Sequence, residues 1–453
     1  MPEPAPVRAP RHLSWRLSVM FALFTMAEGA VLILLSGHMG ARGFSGRQIS
    51  YVFATGAVAA LVSPLVAGWL ADRYWSSQRF LAGCQLVSAP VLLAAWLQTG
   101  FVGFWAAMAL FALIRLPAMT LTNVVAFYHL GRSERFGYVR VWGTVGWIAV
   151  SWSLSLYLRL WEDQAAHLGD GLLVGAVIFA VSGLYALTLP HTPPGAAAGP
   201  GAGPPRPFAF LSAFGLLRQR NFAIIVVIAF IASAVSPCYD NFAFLFLTGP
   251  DGLSLTPSTA NWAQSLGQLV EIVVLLALAS SLRKLGLKRI LLVGIGAQAV
   301  RYTAFSLGAP SWLVIASIGM HGFVFTFYFI GLVIAVEELS DPAYRASAQG
   351  LLSFARGGIG ALCGQLVAGQ VYDACALPDG GRDWTSLFAL PATVTVITLI
   401  LFVVLFRGER LEKQASATAV TATEPRSPRA AVTPASSSSP SVASGSAAGK
   451  EIN

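Results

Sequence analysis

Twelve apolar stretches, each close to the length of a bilayer-spanning helix, constrain this chain more than any other feature. They fall at about 15–36, 50–71, 80–98, 101–128, 138–158, 171–190, 222–247, 259–281, 289–308, 311–336, 345–373 and 386–407. A hydrocarbon core of about 30 Å takes roughly 20 residues of helix to cross. Lipid offers the backbone no water to bond, so each stretch must close its own hydrogen bonds as a helix. The composition agrees: 56% of residues are hydrophobic and 11% charged, against about 25% charged in soluble domains. A soluble enzyme with one anchor is excluded. The expected fold class is an all-α integral membrane protein, with twelve transmembrane helices in two six-helix bundles.

The Pro/Gly/Ala run from Pro193 to Pro205 reads as a flexible linker between the sixth and seventh stretches. Expected boundaries are therefore a cytoplasmic N-terminus at 1–14, a first bundle at 15–190, a cytoplasmic linker at 191–221, a second bundle at 222–407 and a cytoplasmic tail at 408–453. The tail is rich in Ser, Ala, Thr and Pro without apolar periodicity, so disorder is expected there. With both termini inside, the outer loops hold only Arg42, Arg47, Arg159 and Arg382, and most of the 29 Lys and Arg lie on the cytoplasmic side. That asymmetry fixes the orientation by the positive-inside rule. Arg8, Arg11 and Arg16 precede an apolar stretch that carries Glu28 and lacks an A-x-A site, so the first helix is expected to stay. The net charge of +9 is scattered between apolar runs and forms no basic stripe, so nucleic acid is not an expected partner. The four cysteines have neither disulfide-framework nor zinc spacing, and no metal or cofactor is expected.

Charged groups within a span are costly and normally face a bundle interior or a water-filled cavity. Arg140, Thr144 and Trp147 recur at i, i+4 and i+7 on one face of the fifth stretch, and Gln268 and Glu271 share a face of the eighth. Together they offer a cation, a hydroxyl, an aromatic plane, an amide and a carboxylate, a set suited to a neutral polar ligand with hydroxyls and a flat ring. Read from position alone, Arg140 could equally mark the cytoplasmic start of its helix. Glu28 and Asp240 are further intramembrane carboxylates, and burial favours the neutral form that a proton-coupling group must visit. Glu271 is a third coupling candidate, and Glu28 could instead be a structural partner of Arg115. Pro237 is expected to break the seventh helix beside Asp240 and Asn241. His321 and Phe325 belong to a stripe in the tenth stretch whose usual role is packing. Arg301 and Arg356, nearer span ends, read as ion-pair or snorkelling groups outside the site. The chain contains no GK[ST] P-loop, HExxH or GxSxG motif, so neither an ATP-driven engine nor an enzyme is expected.

Gly68-Trp69-Leu70-Ala71-Asp72-Arg73 resembles the G-x-x-x-D-R loop signature of the major facilitator superfamily. Ala71-Asp72-Arg73-Tyr74-Trp75, Arg140-Val141-Trp142-Gly143-Thr144-Val145-Gly146, Gln268-Leu269-Val270-Glu271, Arg345-Ala346-Ser347-Ala348-Gln349-Gly350 and Asp383-Trp384 resemble, in order, segments of the bacterial nucleoside:proton symporter family. The resemblance implies the major facilitator fold and import of nucleosides with protons across the inner membrane. It implies nucleoside contacts from Arg140, Thr144, Gln268 and Glu271, with Trp147 and Phe325 as aromatic residues of the cavity, and a cytoplasmic gate at Asp72 and Arg73. Asp240 stands where the family has a ligand-binding Asn, with Asn241 as the alternative register. His321 replaces a Tyr, Thr326 replaces an acidic residue, and Pro237 stands near a family Gln. The expected partners are a nucleoside, protons and the lipid bilayer, and the expected state is a monomer. A facilitator for another polar solute such as a sugar, or a non-transporting membrane sensor, is the competing reading.

Overall fold

The computed structural model describes residues 11–73, 76–130, 134–194, 209–341 and 344–406, without the side chains of residues 11, 63–73, 134–135 and 209–212. Residues 195–208 of the linker and the tail from 407 lie outside the described residues, and so do the side chains of Asp72 and Arg73. The first half runs α1 (Arg11–Leu32), α2 (Leu35–Ala41), α3 (Gly46–Arg73), α4 (Ser77–Leu97), α5 (Phe101–Leu130), α6 (Glu134–Leu158) and α7 (Asp170–Leu187). After a 3-10 turn at Ala209–Arg218 come α8 (Arg220–Thr248), α9 (Pro257–Leu307), α10 (Ser311–Ile318) and α11 (Met320–Phe323). They are followed by α12 (Gly331–Leu339), α13 (Arg345–Ser353), α14 (Ala361–Ala374) and α15 (Trp384–Leu405). Two π-helical turns, Val324–Ile330 and Phe354–Gly360, join α11 to α12 and α13 to α14.

Among the described residues, ten helices are long and apolar enough to cross a membrane. One of the ten, α9, has 51 residues and is interrupted at Gly286, whose φ of 75° and ψ of 162° only a residue without Cβ adopts freely. The expected loop between the eighth and ninth stretches is thus a single glycine break flanked by Arg283, Lys284, Lys288 and Arg289. Pro237 does not break its helix as expected: α8 runs through it. Two residues before it, the Val235 carbonyl accepts from Tyr302 Oη at 3.4 Å.

Within 11–194, α1 packs on α6 and α7, α4 on α5 and α7, and α3 on α5; within 209–406, α9 packs on α11 and α15, and α8 on α14 and α15. Between these halves, α3 meets α14, α6 meets α9, and α2 meets α8. The hydrogen bonds across this seam cluster at one end, where α6, α8 and α14 finish and α3 and α9 begin. Asn241 Nδ2 donates across the seam to Ser50 Oγ at 3.2 Å, and within its own half to Gln365 Oε1 at 2.6 Å. Asn261 Nδ2 donates to the Ser151 carbonyl at 2.8 Å and to Ser155 Oγ at 2.9 Å. Trp152 Nε1 donates to Ser265 Oγ at 2.9 Å.

Each half also finishes a helix terminus of the other. The first turn of α3 carries a capping box: Gln48 N–H donates to Ser45 Oγ at 3.2 Å and Ser45 N–H to Gln48 Oε1 at 2.9 Å. The remaining amides go across the seam, Gly46 N–H to Asp373 Oδ1 at 2.6 Å and Arg47 N–H to Asp373 Oδ2 at 3.1 Å. In α9, Thr256 caps Thr259 N–H and Pro257 has none to satisfy, leaving Ser258 N–H, which donates to Gln164 Oε1 at 2.9 Å. A carboxylate at a helix N-terminus contributes about 1 kcal/mol as a cap. Asp373→Ala is therefore expected to raise hydrogen exchange of the Gly46 and Arg47 amides about fivefold. Unchanged exchange would show that the cap contributes nothing.

Candidate functional site

The face predicted on the fifth stretch lies on α6, where Arg140, Thr144 and Trp147 are each half-buried. Gly143 keeps this face open: a Cβ there would stand 2.8 Å from Arg140 Nη1, so the guanidinium occupies the space that a side chain would fill. The Arg140 Cζ also lies 5.6 Å from the Phe21 ring centre. Trp147 packs against Gly29 of α1, where a Cβ would come within 3.2 Å of the indole.

Glu271 lies across the seam on α9, 8% exposed. Arg140 is near enough for its charge to act on Glu271, yet the two form no ion pair among the described residues. Gln268, one turn earlier, and Thr144 are half-buried, with no side-chain hydrogen bond to another described residue. A cation and a carboxylate that face each other unpaired, with a free amide and hydroxyl beside them, present both charge signs to whatever lies between.

His321 comes close to Glu271 because Gly322 is a glycine. A Cβ on Gly322 would lie 2.5 Å from the Glu271 amide nitrogen, so α11 rests directly on the backbone of α9. His321 Nε2 stands 3.7 Å from Glu271 Oε2, and Nδ1 accepts from Arg301 Nη1 at 3.3 Å. Phe325 stacks on the imidazole with ring centres 6.3 Å apart, in the π-helical turn where a widened helix re-aims its side chains. Thr326, in the same turn, is fully buried and its hydroxyl has no partner among the described residues.

Arg301 belongs to this cluster, contrary to the expectation that places it at a span end. It is 2% exposed, lies 4.0 Å from the centre of the Tyr239 ring, and its Nε has no hydrogen-bond partner among the described residues. The signal that could have found it is an unpaired arginine inside an apolar stretch. Its charge also acts on Asp240, which is exposed although it sits 20 residues into α8. Its neighbour Asn241 is fully buried and points into the seam, tied to Ser50 and Gln365. Of these two neighbours, Asp240 is exposed and Asn241 is buried.

Glu28 is the neighbour of Gly29, on which Trp147 packs. It is 6% exposed on α1 and ion-paired to Arg115 of α5, the structural arrangement expected as one of its two roles. The described residues contain no group of three or more His, Cys, Asp or Glu placed to hold a metal ion.

Residues 11–410 match the family described as Nucleoside H+ symporter. YegT of Escherichia coli (strain K12) is 30% identical over 404 residues, which cover 86% of this chain and 93% of YegT. Nucleoside permease NupG of the same organism is 26% identical over 411 residues, covering 87% of this chain and 96% of NupG. The crystal structure of nucleoside transporter NupG superposes with a TM-score of 0.76, at 26% identity, over 87% of this chain and 99% of that one.

Proposed function

The chain belongs to the nucleoside H+ symporter family, and from that membership and the site geometry we propose how it imports nucleosides with protons. It is a transporter, not an enzyme, and a multi-pass protein of the inner membrane. Twelve spans follow if α3 counts as one and α9 as two on either side of Gly286; six then fall before the linker and six after it. With both termini cytoplasmic, the seam end closed by Asn241, Asn261 and Asp373 faces outward, and the cavity between Arg140 and Glu271 opens inward.

The observation that carries this reading is the unpaired Arg140 on α6 facing Glu271 on α9, one from each half. A nucleoside between them is bound from both bundles: Arg140 and Thr144 serve one edge, Gln268 and Glu271 the other, and Trp147 and Phe325 offer planes to the base. A site shared by two bundles that rock about it is reached from one side at a time. Thr326 cannot carry a proton in the tenth span, so coupling falls to another carboxyl, Glu271 or Asp240. Glu28 is held by Arg115 and serves the fold.

The test is uptake of labelled uridine and adenosine by proteoliposomes, with and without an inward proton gradient and with an uncoupler. Gradient-driven accumulation that the uncoupler abolishes is the expected result. Equilibration without accumulation would leave a uniporter. Absence of nucleoside flux through folded protein would reduce the likeness to one of fold.

A further inference from the structure

Three spans meet at His321, and they leave it one arrangement of its proton. Arginine has donors only, so Nδ1 of His321, 3.3 Å from Arg301 Nη1, must be the accepting nitrogen. A neutral imidazole that accepts at Nδ1 carries its hydrogen at Nε2. That N–H stands 3.7 Å from Glu271 Oε2, a gap that a small side-chain rotation closes to a hydrogen bond. Arg301 is itself held: its guanidinium lies on the Tyr239 ring at 4.0 Å and 5.3 Å from the Tyr302 ring centre, and the residue is 2% exposed. Its charge is left without an ion pair among the described residues, although Asp240 is near enough to feel it.

We propose that Arg301 is a positioning residue for transport: by donating to Nδ1 it fixes the His321 tautomer and so aims an N–H donor at Glu271. Where a tyrosine would offer one hydroxyl that turns freely, this chain has an imidazole whose donor end is dictated from a neighbouring span. The charged and titratable groups around the ring are Arg301 and Glu271 on α9, Asp240 on α8 acting through Arg301, and Arg140 on α6 acting through Glu271. The role in transport rests on the nucleoside reading, whereas the tautomer does not.

The experiment therefore has two arms on the full-length protein in lipid nanodiscs or proteoliposomes. In the first, nitrogen-15 NMR of histidine-labelled protein, with the His321 signals assigned by their loss in His321→Gln, reads the tautomer directly. Wild type is expected to show the Nε2–H form, Arg301→Lys to keep it, and Arg301→Gln to show a mixture. In the second arm, Arg301→Gln is expected to raise the KM for uridine uptake about tenfold, the effect of losing one hydrogen bond to a charged group. In a His321→Gln background, where an amide supplies the donor without a choice of tautomer, the same change is expected to cost less than about twofold. An Nδ1–H form in wild type, an unchanged tautomer in folded Arg301→Gln, or losses that multiply in the double variant would overturn the proposal. If Arg301→Gln does not fold, the tautomers of wild type and Arg301→Lys decide it. The expected tautomers without nucleoside uptake would leave the positioning intact and overturn the substrate reading instead.

Discussion

Glu271→Gln is expected to lower proton-driven nucleoside uptake ten- to a hundredfold, about 1.5–3 kcal/mol, and to flatten its dependence on pH. Glutamine keeps the shape of the side chain, so the packing of Gly322 on the α9 backbone survives. It removes the one carboxylate that faces Arg140 across the seam and His321 beside it. A hydroxyl that donates to a carboxylate makes a bond roughly twice as strong as one to a neutral amide. The loss in affinity and the loss of a titrating group therefore come from one atom. Uptake of labelled uridine at pH 6 and pH 7.5 separates them: wild type should be faster at the lower pH, and the variant slow and alike at both. Normal, pH-dependent uptake by the variant would remove Glu271 from both roles and leave coupling to Asp240.

Arg115→Leu should produce the largest loss of stability in the first half of the chain. It would strand Glu28, 6% exposed, without its cation. Breaking a buried ion pair from one side costs about 3–5 kcal/mol, because the remaining charge stays desolvated. Removing both partners in Glu28→Leu/Arg115→Leu should recover most of that loss, since the pair itself contributes little net stability. Thermal unfolding of the three variants in one detergent measures the difference. If Arg115→Leu unfolds like wild type, Glu28 is not held as a charge, and its candidacy for proton coupling reopens.

Residues at helical spacing were the legible part of the site. Arg140, Thr144 and Trp147 share a face because their spacing follows the 3.6-residue turn, and Gln268 with Glu271 does the same. Which residue of α8 meets the seam was not legible, because Asp240 and Asn241 are adjacent and only tertiary packing leaves one exposed and ties the other to Ser50. Arg301 was hidden for a related reason. Its distance from the end of an apolar stretch says nothing about direction, and it points at Tyr239 and His321, which come from other spans. The π-helical turns at Val324–Ile330 and Phe354–Gly360 have no marker residue, yet each shifts the phase of everything after it. The break at Gly286 was legible as a basic interruption but not as a single left-handed residue.

The reciprocal caps at Asp373 and Gln164 bear on how easily the closed end can part. Apolar contacts seal part of that end, Phe244 on Gly37 and Leu245 on Gly40, and parting them costs about 25 cal/mol for every square ångström wetted. Its hydrogen-bonded ties are amides, hydroxyls and a carboxylate with few bonds each, and water can replace these nearly one for one. Opening then combines hydration of a polar crevice with the wetting of these apolar contacts. The two arrangements can lie close in free energy, so the modest binding energy of a small solute suffices to choose between them. Osmolytes that withdraw water should hold this end shut, and they should do so more effectively than added salt.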